Sequence, residues 1–167
     1  SGGTPIALSA ASRAPQLFKA YIAMAQISRQ AESERIAYHY LLKQFIEKKD
    51  QRSVKKLKKF RDLEKDTDIL AFHSSLFRDK AMHQTGIGTM RQMHSIFWGV
   101  FIPVWTCRAY TLKEKINIWK SKIAFLPNTN LKNEILGTDY TQAIPGLDLP
   151  VYFLSGKYDH LGRTNPY

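Results

Sequence analysis

A hydrophobic pattern of helical period runs from about residue 27 to 143, bracketed by two short apolar runs without that period, "LFKAYIAMA" and "VYFLSG". This contrast constrains the fold more than any single motif does. Apolar runs of strand length, closely preceded by Pro15 and Pro150, suit parallel strands buried on both faces. The Ala-rich stretch ahead of the first run would then be a helix packed on that sheet. Two parallel strands alone leave open edges and a bare apolar face, so the remaining strands of the sheet are expected to come from elsewhere.

Within the helical zone, Ile36, Tyr40, Leu41 and Phe45 fall on one face while Lys43 and Lys48 turn outward. Thr111 and Glu114 form a capping box ahead of Leu112, Ile116, Trp119 and Ile123, an apolar stripe at helical spacing. Residues 66–80 and 89–98 read as further helices, and "HQTGIGT" as the turn that separates them. A net charge of +11 raises nucleic acid or an anionic surface as a partner. Much of that charge lies in "EKKDQRSVKKLKKFRDLEK", where Val54, Leu57, Phe60 and Leu63 recur about every third residue and lysines fill the positions between. That is the pattern of a solvated helix face, without the aromatic interleaving of a nucleic-acid surface. No nucleic-acid partner is therefore expected; a basic helical module for nucleic acid or anionic lipid stands as the alternative function.

One cysteine, Cys107, excludes an internal disulfide and a cysteine metal cluster, and it fits a reducing, cytoplasmic setting. The longest apolar run, "SIFWGVFIPVWTC", contains Pro103 and is shorter than the ~20 residues a spanning helix needs. No membrane is expected. The start "SGGTPIALSAASRAP" has neither an initiator Met nor the basic opening of a signal peptide, which suggests that upstream sequence was removed.

The two ends carry the chemistry. Ser1-Gly2-Gly3 precedes the small-residue helix and matches the second half of a G-x-S-x-G elbow, where small neighbours let backbones approach a nucleophilic serine. "LPVYFLSGKYDH" has the form of a strand that delivers an acid, Asp159, on the loop after it. With these ends and "SGGTPIALSAASRAPQLFKAYIAMAQ", "SERIAYHYLLKQF", "RDKAMHQTGIGTMRQMHS", "YTLKEKINIW" and "LDLPVYFLSGKYDH", the chain resembles alpha/beta hydrolases with a helical cap. The similar branch is that of proline iminopeptidases and epoxide-hydrolase-like enzymes, bacterial members above all.

The resemblance implies an α/β fold: a partial alpha/beta-hydrolase core of parallel strands, in pieces 1–27 and 144–167, with a large all-helical cap at 28–143. It implies Ser1 as nucleophile, Asp159 as the residue that orients the base, and the Gly2 backbone N–H as an oxyanion donor. The substrate would be an ester or amide, aminopeptidase-like substrates included, with no cofactor and no metal. Among the five histidines, His160 adjoins Asp159, so the backbone sends its side chain in a different direction, and His39, His73 and His94 fall in helical segments. His83, beside "TGIG", is a candidate for the cap side of a substrate pocket; a plain turn residue is the other reading. The catalytic histidine and the second oxyanion donor would lie outside the chain. The chain thus reads as an internal fragment, inactive alone, whose open sheet edge invites dimerisation.

Overall fold

Pro5 opens the first helix, α1 (Thr4–Arg13), at a position where its missing N–H would be unpaired in any case. In the computed structural model, which describes residues 3–87, 93, 95–125, 130–154 and 156, α1 leads through a tight turn at Pro15–Leu17 into β1 (Tyr21–Met24). Among the described residues, α2 (Gln30–Glu47), α3 (Gln51–Lys58), α4 (Asp66–His73), α5 (Leu76–Gln84), α6 (Ile102–Thr106), α7 (Leu112–Phe125) and α8 (Leu131–Gly137) follow. A short α9 (Tyr140–Ala143) then precedes β2 (Val151–Leu154). Among the described residues, no helix is long and apolar enough to cross a membrane.

α2 is the centre of the helical part, packing against α3, α4 and α8. It contributes Ala37, Tyr38, Leu41 and Phe45 to a core completed by Val54, Leu57, Leu63, Ile69, Phe72, Ala81, Met82 and Ile87. Tyr38 meets Phe72 edge to face, ring centroids 5.5 Å apart, a geometry the ring quadrupoles favour. The expected face of α2 is shifted: Leu41 and Phe45 are buried, but Ile36 and Tyr40 are only half-buried, and the innermost stripe runs through Ala37 and Tyr38. The lysines of α3 are exposed while Val54 and Leu57 point inward, the solvated face read from their spacing.

The long helix expected over residues 66–80 breaks at Ser74 and Ser75. There the Ser75 hydroxyl accepts from the Arg78 N–H at 3.1 Å and starts α5 afresh. The turn after α5 closes as a Schellman motif: Gly86 has φ 75, its N–H donates to the His83 carbonyl, and the Ile87 N–H donates to that of Met82. Of the helix expected at 89–98, residues 89–92 and 94 lie outside the described residues. Helical structure begins at Ile96 and passes through a π turn at Phe97–Phe101 into α6. The Thr111–Glu114 capping box is present, with the Thr111 N–H donating to Glu114 Oε2 at 2.8 Å and the Glu114 N–H to Thr111 Oγ1 at 3.3 Å. Its apolar stripe, however, finds little cover: Leu112 and Ile116 are exposed.

β1 and β2 pair in parallel, Tyr21 with Val151 through Met24 with Leu154. The expectation of an α/β chain built on a partial alpha/beta-hydrolase core is not met. Among the described residues the molecule is mostly helical, 65%, with two parallel strands in one sheet. The apolar run "LFKAYIAMA" yields only four strand residues, because Leu17 is used by the turn at Pro15–Leu17 and Ala25 turns left-handed at φ 49. Nor is β1 buried on both faces: Tyr21 and Ala23 are buried, Ile22 and Met24 exposed.

Gly86 is the position where backbone conformation dictates residue type. Replacing it with Ala places a Cβ in the left-handed region, and the urea midpoint should fall by the equivalent of about 1 kcal/mol at unchanged slope. An unchanged midpoint would show that the motif does not hold the end of α5.

Candidate functional site

The small sheet is covered on one face only. Tyr21 and Ala23 of β1 pack with Ala11 of α1, and Leu8, Leu147, Leu149 and Val151 complete this second core. The Tyr21 hydroxyl donates to Gln26 Oε1 at 2.7 Å and lies 3.3 Å from the Thr4 carbonyl; its burial pushes the phenol pKa up. Just past β1, the Ile27 N–H donates to Thr4 Oγ1 at 3.1 Å. The first turn of α1 is thereby tied to the end where β1 finishes. β2 finishes at that same end, since the strands are parallel and the Ala25 N–H donates to the Leu154 carbonyl at 3.1 Å.

Against the covered face lies a cavity of about 260 Å3, lined by Leu8, Gln26, Ser28, Tyr140, Thr141, the loop from Ile144 to Leu147, Val151 and Phe153. Its floor is fixed where the helical excursion leaves and returns. The Tyr140 N–H donates to the Ser28 carbonyl at 2.9 Å, and Arg29 and Asp139 form an antiparallel bridge. Asp139 caps α9, accepting from the Thr141 N–H at 2.9 Å and from its hydroxyl. Those hydrogen bonds, the Thr141 hydroxyl first, hold its carboxyl below the usual carboxylate range. A second cavity, about 410 Å3, lies between α2, α4 and α8 beside Ala31, Asp66, Thr67 and Asn133.

Ser1, Gly2 and Asp159 lie outside the described residues, as do His94 and His160. What is described is the chain on either side of that gap: the start of α1 and the end of β2 sit at one end of the sheet. His83 occupies the last turn of α5, is buried, and lines neither cavity. Its Nδ1 is buried without a hydrogen-bond partner among the described residues. His39 is exposed on α2, and His73 is engaged elsewhere.

His73 belongs to a buried ionic cluster that the sequence does not announce. Glu34 of α2 is completely buried. Its Oε1 lies 2.9 Å from His73 Nδ1 and accepts from Gln30 Nε2 at 2.7 Å, and its Oε2 accepts from Arg78 Nε at 3.0 Å. Burial pushes the Glu34 pKa up, but the His73 hydrogen bond and the charge and hydrogen bonds of Arg78 outweigh it and set the net direction downward. Arg78 is also held by Asp79 at 2.9 Å. Acidic and basic residues 44 positions apart carry no periodic signal. A polar residue inside an apolar helical face was the only hint, and Glu34 sits directly before Arg35 and Ile36 without disturbing the pattern.

Glu34→Gln keeps the shape of the side chain but leaves Arg78 with only the more exposed Asp79 as counter-charge. A loss of about 2–3 kcal/mol in unfolding free energy is expected, short of the penalty for a buried charge with no partner. Because the folded pKa of Glu34 lies below its ordinary 4.5, its contribution is present above that value and is lost as pH falls through the folded pKa. Denaturation of the wild type and of Glu34→Gln between about pH 5 and 3 should therefore converge as acid is added; parallel curves would show that Glu34 is not held as a carboxylate.

No protein-family profile, curated protein or solved structure matches the chain.

Proposed function

We propose that the chain carries the nucleophile and the acid of a serine hydrolase acting on an ester or amide, aminopeptidase-like substrates included. The observation that supports this reading is the convergence of two segments distant in sequence. Thr4, three residues after Ser1, is hydrogen-bonded to Ile27 at the end of β1, and Leu154, five residues before Asp159, is hydrogen-bonded to Ala25 at the same end. In this reading Ser1 Oγ attacks the carbonyl carbon, its proton passes to a histidine, and the tetrahedral oxyanion is received by the Gly2 N–H. Asp159 accepts from the other ring nitrogen of that histidine, fixing its tautomer and stabilising the imidazolium. The protonated histidine then gives its proton to the leaving amine or alcohol, and water repeats the sequence on the acyl-enzyme.

The histidine is assigned outside the described residues. His73 is occupied by Glu34, His83 is buried in the last turn of α5, and His39 is exposed on α2. The chain alone is then catalytically silent. A reducing, cytoplasmic setting accords with the single Cys107. The sheet's exposed apolar face, with Ile22 61%, Met24 65% and Tyr152 57% exposed, supports dimerisation through its open edge.

Free imidazole can stand in for an absent histidine. Incubated with an alkyl fluorophosphonate, the chain should acquire one adduct at Ser1, read by peptide mass, at a rate at least about tenfold faster with imidazole than without. Ser1→Ala should acquire none, and Asp159→Asn should lose most of the imidazole response. An adduct on another residue, or labelling indifferent to Asp159, would remove the hydrolase reading.

A further inference from the structure

We infer that the 260 Å3 cavity beside the sheet is a binding site for a small, uncharged, apolar group, of the size of a substituted aromatic ring or a medium alkyl chain. The class of ligand follows first from charge. The chain carries 25 Lys and Arg against 14 Asp and Glu, yet among the described residues no Lys, Arg, His, Asp or Glu lines this cavity. An ionic ligand would be desolvated there with nothing to neutralise it.

The polar groups at the wall are largely turned to the protein. Gln26 accepts from the Tyr21 hydroxyl and donates to the Ile27 carbonyl at 2.8 Å, and the Thr141 hydroxyl donates to Asp139. What the wall offers a ligand is the carbon surface of Leu8, Ile144, Leu147, Val151 and Phe153. Size sets the rest. An engineered cavity of about 150 Å3 with a similar aliphatic and aromatic lining stays dry and takes up benzene, so about 260 Å3 admits a ring with a substituent or an equivalent length of alkyl chain. Under the hydrolase reading this group is the acyl or side-chain portion of the substrate; only that last identification rests on that reading.

Binding can be read without turnover. Benzyl alcohol titrated into the 15N-labelled chain should shift the Thr141, Gly146 and Val151 amides saturably, while benzoate and benzylammonium, matched in shape but charged, should bind at least about tenfold more weakly. Gly146→Phe adds a ring where an added Cβ would meet nothing within 4 Å, and Ile144→Asp brings a charge to the wall. Each should weaken benzyl alcohol at least about tenfold while the helical circular-dichroism signal stays at the wild-type level. Equal affinity for the three probes, the absence of saturation, or folded variants that bind as the wild type does would each overturn the assignment. Should a variant fail to fold, the ranking of the three probes on the wild type decides. Loss of Ser1 labelling would leave this binding intact, and absence of binding would leave the labelling test untouched.

Discussion

Everything at the candidate site depends on a four-residue parallel pairing between segments at opposite ends of the chain. Tyr21 to Met24 and Val151 to Leu154 are joined through the whole helical excursion. Closing a loop of that length is not prohibitive, because its entropic cost grows only logarithmically, but so short a ladder repays little of it. Two further ties share the load. The Ser28–Tyr140 hydrogen bond and the Arg29–Asp139 bridge fasten the excursion where it leaves and where it returns, shortening the effective loop that the strands must close. The side-chain ties of Thr4 to Ile27 and of Tyr21 to Gln26 then lock α1 across the pair. The geometry at the strand ends is thus a consequence of the helical part holding its own stems together.

The helical part does so around a charge. Glu34 sits on the central helix, and its oxygens take hydrogen bonds from Arg78 at the start of α5 and contact His73 at the end of α4. An ion pair in an apolar interior adds little net stability over a hydrophobic replacement, since desolvation offsets the attraction. Its effect here is on register. α4 and α5 are separate short helices with a break at Ser74 and Ser75, and apolar contacts alone would tolerate rotation about that break. A carboxylate whose hydrogen-bonding partners come from both helices tolerates none. Tyr38 does comparable work one turn along α2, donating to Asp62 Oδ1 at 2.7 Å; burial first, and that hydrogen bond to an acid second, raise its pKa.

Local signals were legible in the sequence, and non-local ones were not. The capping box of Thr111 and Glu114 and the turn at Gly86 depend on neighbours within six residues, so their chemistry can be read directly. The two strands and their parallel sense were also legible, as apolar runs flanking a helical period. The step from two strands to a hydrolase core failed because strand length and burial are set by what packs on the sheet, and cover exists on one face only. The run Val54, Leu57, Phe60, Leu63 suggested one continuous helix, but Arg61, Asp62 and Leu63 all take left-handed φ near 50–57. No glycine marks that turn. It is held by the Tyr38 contact to Asp62, by the Arg35 Nε donation to the Leu63 carbonyl at 3.4 Å, and by the burial of Leu63, all of them tertiary. The Glu34 cluster and the cavity wall, drawn from Leu8 to Phe153, are non-local in the same sense.

The two faces of the small sheet make different demands on a partner. On the bare face, Ile22, Met24, Tyr152 and Leu154 are in register and all more than half exposed, an apolar patch that water penalises regardless of shape. Anything flat and apolar relieves that cost, so this face selects for contact but hardly for identity. The covered face is otherwise. There α1 and the 144–147 loop leave a gap of defined size with its polar atoms largely committed, and a molecule gains from entering only if its volume matches and it carries no charge to desolvate. Discrimination therefore resides on the α1 side of the sheet, where α1 and the 144–147 loop shape the gap.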